Sequence, residues 1–172
     1  REFLQQCLSE AVADSFNAIT VDGDGNVCVA GISSASWGSP VRAYTASTDV
    51  FVAKLDYTGN LTWNTFLGGS GADRVYGIAV DGSGNVYFTG YFRASAKFGE
   101  ISLTSRYPSQ FDDAIVENLF VAKMDDAGNW EWAVQGDGRY EPWLSNSRGQ
   151  GIAAGPDGKV YVTGGFTGRV DF

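Results

Sequence analysis

The chain has 172 residues, 44% of them apolar and 14% aromatic, which is enough to bury a sizeable core. It carries 12 Lys and Arg against 20 Asp and Glu, a net charge of −8, which argues against a nucleic-acid backbone or an anionic membrane as partner. There is no histidine, so the commonest general base, neutral metal ligand and pH switch are all missing, and no apolar run approaches the roughly 18–20 residues of a membrane helix.

Residues 1–13 read as the closing strand of a preceding unit, because a shift of 59 places them on residues 60–72. A helical reading of Phe3-Leu4-Gln5-Gln6-Cys7-Leu8 ranks second. The chain begins inside a repeat, so the lack of a visible secretory leader excludes little. Residues 14–74 form one full unit. Its strands are expected at about 17–22, 26–32, 50–55 and 61–67, with alternating β-formers bounded by turn residues. The turns are Asp22-Gly23-Asp24-Gly25-Asn26 and Asp56-Tyr57-Thr58-Gly59-Asn60, and a long polar connection spans 33–48. Residues 75–149 repeat this order with a longer connection at about 93–118. Residues 150–172 give the first half of a further unit.

The repetition is explicit. Residues 16–31 match 75–90 at 8 of 16 positions, 150–164 match 76–90 at 8 of 15, and 51–63 match 120–132 at 8 of 13. A fixed period must be recognised before any single residue is interpreted. Four predicted strands per 60–75 residues predict an all-β fold of four-stranded antiparallel blades, a partial β-propeller of about three blades. Along one strand Val86 and Phe88 point one way, Tyr87 and Thr89 the other, and both sets are largely apolar. That is the pattern of a sheet covered on both faces. A stacked β-sheet solenoid would show the same pattern and is the alternative.

The phrases at 77–90 (GIAVDGSGNVYFTG), 51–60 (FVAKLDYTGN) and 67–73 (LGGSGAD) resemble the bacterial β-propeller repeats called SBBP repeats. The resemblance covers nearly the whole chain. It implies large secreted or surface-attached bacterial proteins built of tandem blades, and it implies no activity. The chain departs from the pattern at Gly155-Pro156-Asp157-Gly158-Lys159 and in residues 1–7.

Candidate sites are few. Asp22, Asp24 and Asn26 alternate as in calcium loops, but no glutamate stands at the twelfth position, and an Asp-stabilised turn explains the same residues. No other cofactor is expected. Lys54 and Lys123 share one strand position, where a lysine packs its stem and pairs with a nearby Asp. Trp37, Tyr44, Tyr107, Tyr140 and Trp143 fall in predicted loops, where aromatics contact a ligand or partner or pack between blades. Asp112, Asp113 and Glu117 read as a solvated acidic loop rather than the spaced carboxylate pair of a glycosidase. Asn60-Leu61-Thr62 is a glycosylation sequon inside an ordinary turn. Cys7 and Cys28 read as two buried thiols, with a disulfide as the alternative.

The expected function is a non-catalytic, extracellular or cell-surface propeller scaffold or binding module. It would partner copies of itself, assembling head to tail into a filament or ring, or further blades of a longer chain. The alternative is a propeller that binds or cleaves polysaccharide, with its site in loops 33–48, 93–118 and 135–149.

Overall fold

The computed structural model describes residues 15–44, 49–69, 71–105, 116–139, 146–167 and 169–171. All regular structure among them is β. Strands β1 (Ser15–Val21), β2 (Val27–Ser33), β3 (Asp49–Leu55) and β4 (Leu61–Leu67) form an antiparallel sheet in that order. This is the first blade. The second uses β5 (Arg74–Val80), β6 (Val86–Phe92), β9 (Asn118–Met124) and β10 (Trp130–Arg139). β11 (Ser147–Ala154) and β12 (Val160–Phe166) pair as a two-stranded sheet, the third blade.

Two elements were not expected. The connection after β6 contains a small hairpin, β7 (Ser95–Phe98) and β8 (Ile101–Thr104). A short strand, β13 (Arg169–Asp171), adds to the outer edge of the second blade by pairing with β10.

The five turns that follow β1, β3, β5, β9 and β11 share one backbone design. Asp22, Asp56, Asp81, Asp125 and Gly155 each donate their N–H to the carbonyl four residues on, and accept from the N–H three residues on. The residue at that third step is glycine with positive φ, between 76° and 89°, a conformation costly for any side chain. This is the three-residue hairpin loop with a bulge glycine. At Gly155 the Asp side chain is gone and the backbone bonds persist.

The blades stack face to face. One face of the first blade carries Cys28, Ala30, Ile32, Val50 and Val52. It packs on the second blade's Val86, Phe88, Phe120, Ala122 and Met124 in a single core. Phe88 and Phe120 are fully buried, and burial of each contributes about 1.5–3 kcal/mol. The first blade's other face holds Val29, Phe51, Ala53, Leu55 and Phe66, a second cluster. The second blade's far face, with Thr89 and Tyr91, receives β11. There Gly149 is required, because a Cβ would lie 1.9 Å from Thr89 Oγ1.

Cys28 is a free, buried thiol, and burial pushes its pKa up to about 11, so it serves as a small packing group. Cys7 and residues 1–13 lie outside the described residues.

Candidate functional site

Both junctions between blades carry buried charge where β5 or β11 begins. At the first junction Asp73 accepts from the N–H groups of Gly69 (3.0 Å) and Arg93 (3.3 Å). Burial, helped by the Asp49 carboxylate, raises its pKa to about 7. Arg42 closes this end by donating to the Phe66 carbonyl at 2.9 Å.

The second junction is richer. Glu117 precedes β9, and its side chain is fully buried. Its Oε1 pairs with Arg93 Nη2 at 2.7 Å and its Oε2 with Arg148 Nε. A buried carboxylate needs such partners. Both guanidinium groups also lie over the Tyr91 ring, at 5.6 and 5.3 Å from its centroid, within cation–π range. Their outer edges reach solvent, with side-chain exposures of 32% for Arg93 and 44% for Arg148. The Tyr76 ring sits 6.0 Å from Tyr91 and is 37% exposed. Arg74 pairs directly with Tyr91 across β5 and β6, which places it on the same face.

Glu117 therefore departs from the acidic-loop reading: it is a buried anchor for two arginines. Asp112 and Asp113 lie outside the described residues. The sequence-level reading missed Arg74, Tyr76, Tyr91, Arg93 and Arg148. The available signal was an arginine at or near a strand end in three places.

The structure separates the loop aromatics. Trp37 is not an exposed contact residue. It is 3% exposed and packs edge-on against Phe51 and Phe66 at 5.2 and 5.7 Å. Tyr44 is half-buried against Phe66. Both close the first blade's second apolar cluster, because the 33–44 connection folds back over that face. Tyr107, Tyr140 and Trp143 lie outside the described residues.

Asp22, Asp24 and Asn26 form a turn in which the carboxylate oxygens are already used. Asp22 Oδ1 accepts from the N–H of Asp24 and Asn26, and Oδ2 from Asn26 Nδ2. Lys54 Nζ lies 3.0 Å from that same Oδ2. Burial alone would raise the Asp22 pKa, but Asn26 and Lys54 outweigh it and hold the group at about 2. Asn26 presents its amide as a donor, whereas a calcium ligand presents oxygen. Among the described residues no three acidic or thiol groups gather as a metal site.

Lys54 also pairs with Asp126, in the second blade's turn, so it ties two blades together. Lys123 pairs instead with Glu131 at 2.6 Å and lies over Tyr87.

Residues 62–91 match the SBBP family model, described as a β-propeller repeat. The span runs from β4 to β6 and so contains one junction between blades. The chain is also 26% identical, over 176 residues, to an uncharacterized WD repeat-containing protein of Acanthamoeba polyphaga mimivirus. That similarity covers 88% of this chain, which spans about 12% of the relative's length.

Proposed function

We propose that the chain is a non-catalytic propeller scaffold and binding module that works outside the cell and extends by stacking against further blades of its own kind. One observation carries this reading. The second blade packs on the first through Val86, Phe88, Phe120, Ala122 and Met124. The repeat places Val27, Val29, Phe51, Ala53 and Leu55 at the same positions of the first blade. Trp37 and Tyr44 cover part of that equivalent face, and the part beside β1 is open, where Ile19 is 68% and Val21 56% exposed. A groove of about 470 Å3 runs along it, lined by Phe16, Ile19, Val27, Val29 and Leu55. A patch this apolar is a contact surface, and the occupant it fits is another blade of the same repeat. Copies of the chain can supply that blade head to tail.

The test is light scattering after size exclusion, with electron microscopy of the same fraction. The expected result is species larger than the 18.4 kDa monomer with a regular repeat, shifted toward monomer by Ile19→Lys. A monomer at every concentration, unchanged by that substitution, would overturn the assembly reading. A second reading, polysaccharide binding, is favoured by the arginine and tyrosine cluster at the second junction.

A further inference from the structure

We infer that the exposed edge of the Arg74, Arg93 and Arg148 cluster binds the acid group of an anionic sugar chain, with the Tyr76 ring as the platform beside it. The inference rests on the polysaccharide-binding reading above and names the class of polysaccharide.

The charge balance comes first. The chain has 12 cations against 20 anions, yet Arg93 and Arg148 meet at this one junction with Glu117 as the buried acid between them, and Arg74 stands on the same sheet face, directly across from Tyr91. Glu117 uses one oxygen for each of Arg93 and Arg148. This fixes the two guanidinium groups without consuming them. Arg148 is held through Nε only, so neither of its terminal nitrogens has a partner among the described residues. Arg74 makes no hydrogen bond or ion pair among them either. A guanidinium edge with two free N–H donors matches a carboxylate or sulfate bidentately.

Preorganisation comes second. Arg93 and Arg148 are clamped between Glu117 and the face of Tyr91, which is itself buried at 6% exposure. Long side chains held this way lose little further rotamer freedom when a ligand arrives. Tyr76, next to them, exposes an aromatic face at a strand bulge. A uronic-acid or sulfated pyranose carries a flat C–H face and an acid group on one rigid ring, and so can use both features together. A carboxylate on a flexible peptide stem uses only the arginines.

Titration calorimetry of the whole chain against three polymers tests this: polygalacturonate, neutral pullulan and polyglutamate. The expected result is saturable binding of polygalacturonate that weakens as salt rises, with at least a tenfold loss in Arg148→Gln and in Arg74→Gln. Pullulan and polyglutamate should bind at least tenfold more weakly. Arg74→Gln leaves the Glu117 pairs intact, so it keeps the test valid if Arg148→Gln disturbs folding. Equal binding of pullulan, untouched by either substitution, would keep the polysaccharide reading and overturn the anionic site. Equal binding of polyglutamate would reduce the cluster to a general anion site and overturn the sugar assignment. No binding of any polymer would overturn both.

Discussion

Gly68 and Lys97 exchange backbone hydrogen bonds across the junction between blades, with Lys97 N–H donating to the Gly68 carbonyl at 3.0 Å and Gly68 N–H to the Lys97 carbonyl at 3.4 Å. Gly68 follows β4 of the first blade, and Lys97 lies in β7, beyond strand β6 of the second. The same stitch recurs one repeat later, where Asp171 in β13 pairs with Asp137 in β10. Each blade is thus sewn at its outer edge by chain from the next, which also blunts an otherwise open strand edge.

If this stitch holds the junction, Lys97→Pro should destabilise the chain by about 1–3 kcal/mol, since proline removes the donor to Gly68 and disturbs the β7–β8 pairing. Lys97→Ala keeps the backbone bond and should stay within about 0.5 kcal/mol of wild type. Urea unfolding of both variants reads the difference. Equal midpoints would show that the stitch contributes nothing.

Much of this fold was legible. The turn glycines and the Asp-x-x-Gly-Asn phrase gave the hairpins, and the two-sided apolar pattern gave the face-to-face stacking. Gly31, Gly90 and Gly164 close the repeated phrase for a physical reason. Each faces a bulge in the neighbouring strand, where a Cβ would come within about 2.0 Å of a backbone carbonyl. The stitch was not legible, because β7 and β13 span only four and three residues, and the partners that Lys97 and Asp171 find on the neighbouring blade edge are distant in the chain. For Trp37 the local pattern left contact and packing both open, for a related cause. Its loop position hid the fact that the connection folds back over a sheet face, a tertiary outcome that local pattern does not encode. Glu117 sat beside two other acids in sequence, and nothing local says that its side chain turns inward to two arginines.

Gly149→Ala should weaken the contact between the second and third blades. The new methyl would lie 2.9 Å from Thr89 Cβ as well as against Oγ1, and Thr89 is held by its 2.7 Å bond to the Phe120 carbonyl. Overpacking of this kind costs about 1–3 kcal/mol. Thermal melting of Gly149→Ala, alone and with Thr89→Ala, measures it. Recovery of most of the loss in the double variant is expected, and no recovery would place the strain elsewhere.

Lys54 should matter more than any surface ion pair. Its side chain is 5% exposed and serves Asp22 and Asp126 together. Lys54→Met leaves the Asp22 carboxylate, 6% exposed, without its cation, and loss of one partner from a buried pair costs about 3–5 kcal/mol. Because Lys54 already stands where a cation would sit, millimolar calcium should leave the wild-type melting temperature unchanged. A rise with calcium would restore the metal-loop reading.

The pH dependence of stability should have two limbs, set by different carboxylates. Asp73 is raised from 3.8 to about 7 by burial, so its protonated form is the one the fold favours. Below about pH 4 this acid is protonated in both states and costs nothing. Between about pH 4 and 7 the unfolded chain ionises first, and stability falls by at most about 1.4 kcal/mol per pH unit. Above about pH 7 the loss is complete. Asp22 and Asp56 behave oppositely. Both are held at about 2, Asp22 by Asn26 and Lys54 against its burial, Asp56 by Thr58 and Asn60. Their contribution is present above about pH 4 and is lost as pH falls toward 2. The melting temperature should therefore peak between about pH 4 and 5. Asp73→Asn should flatten the decline from pH 5 to 7.5 and leave the acid limb in place. A decline of the same slope in that variant would assign the neutral limb to another group.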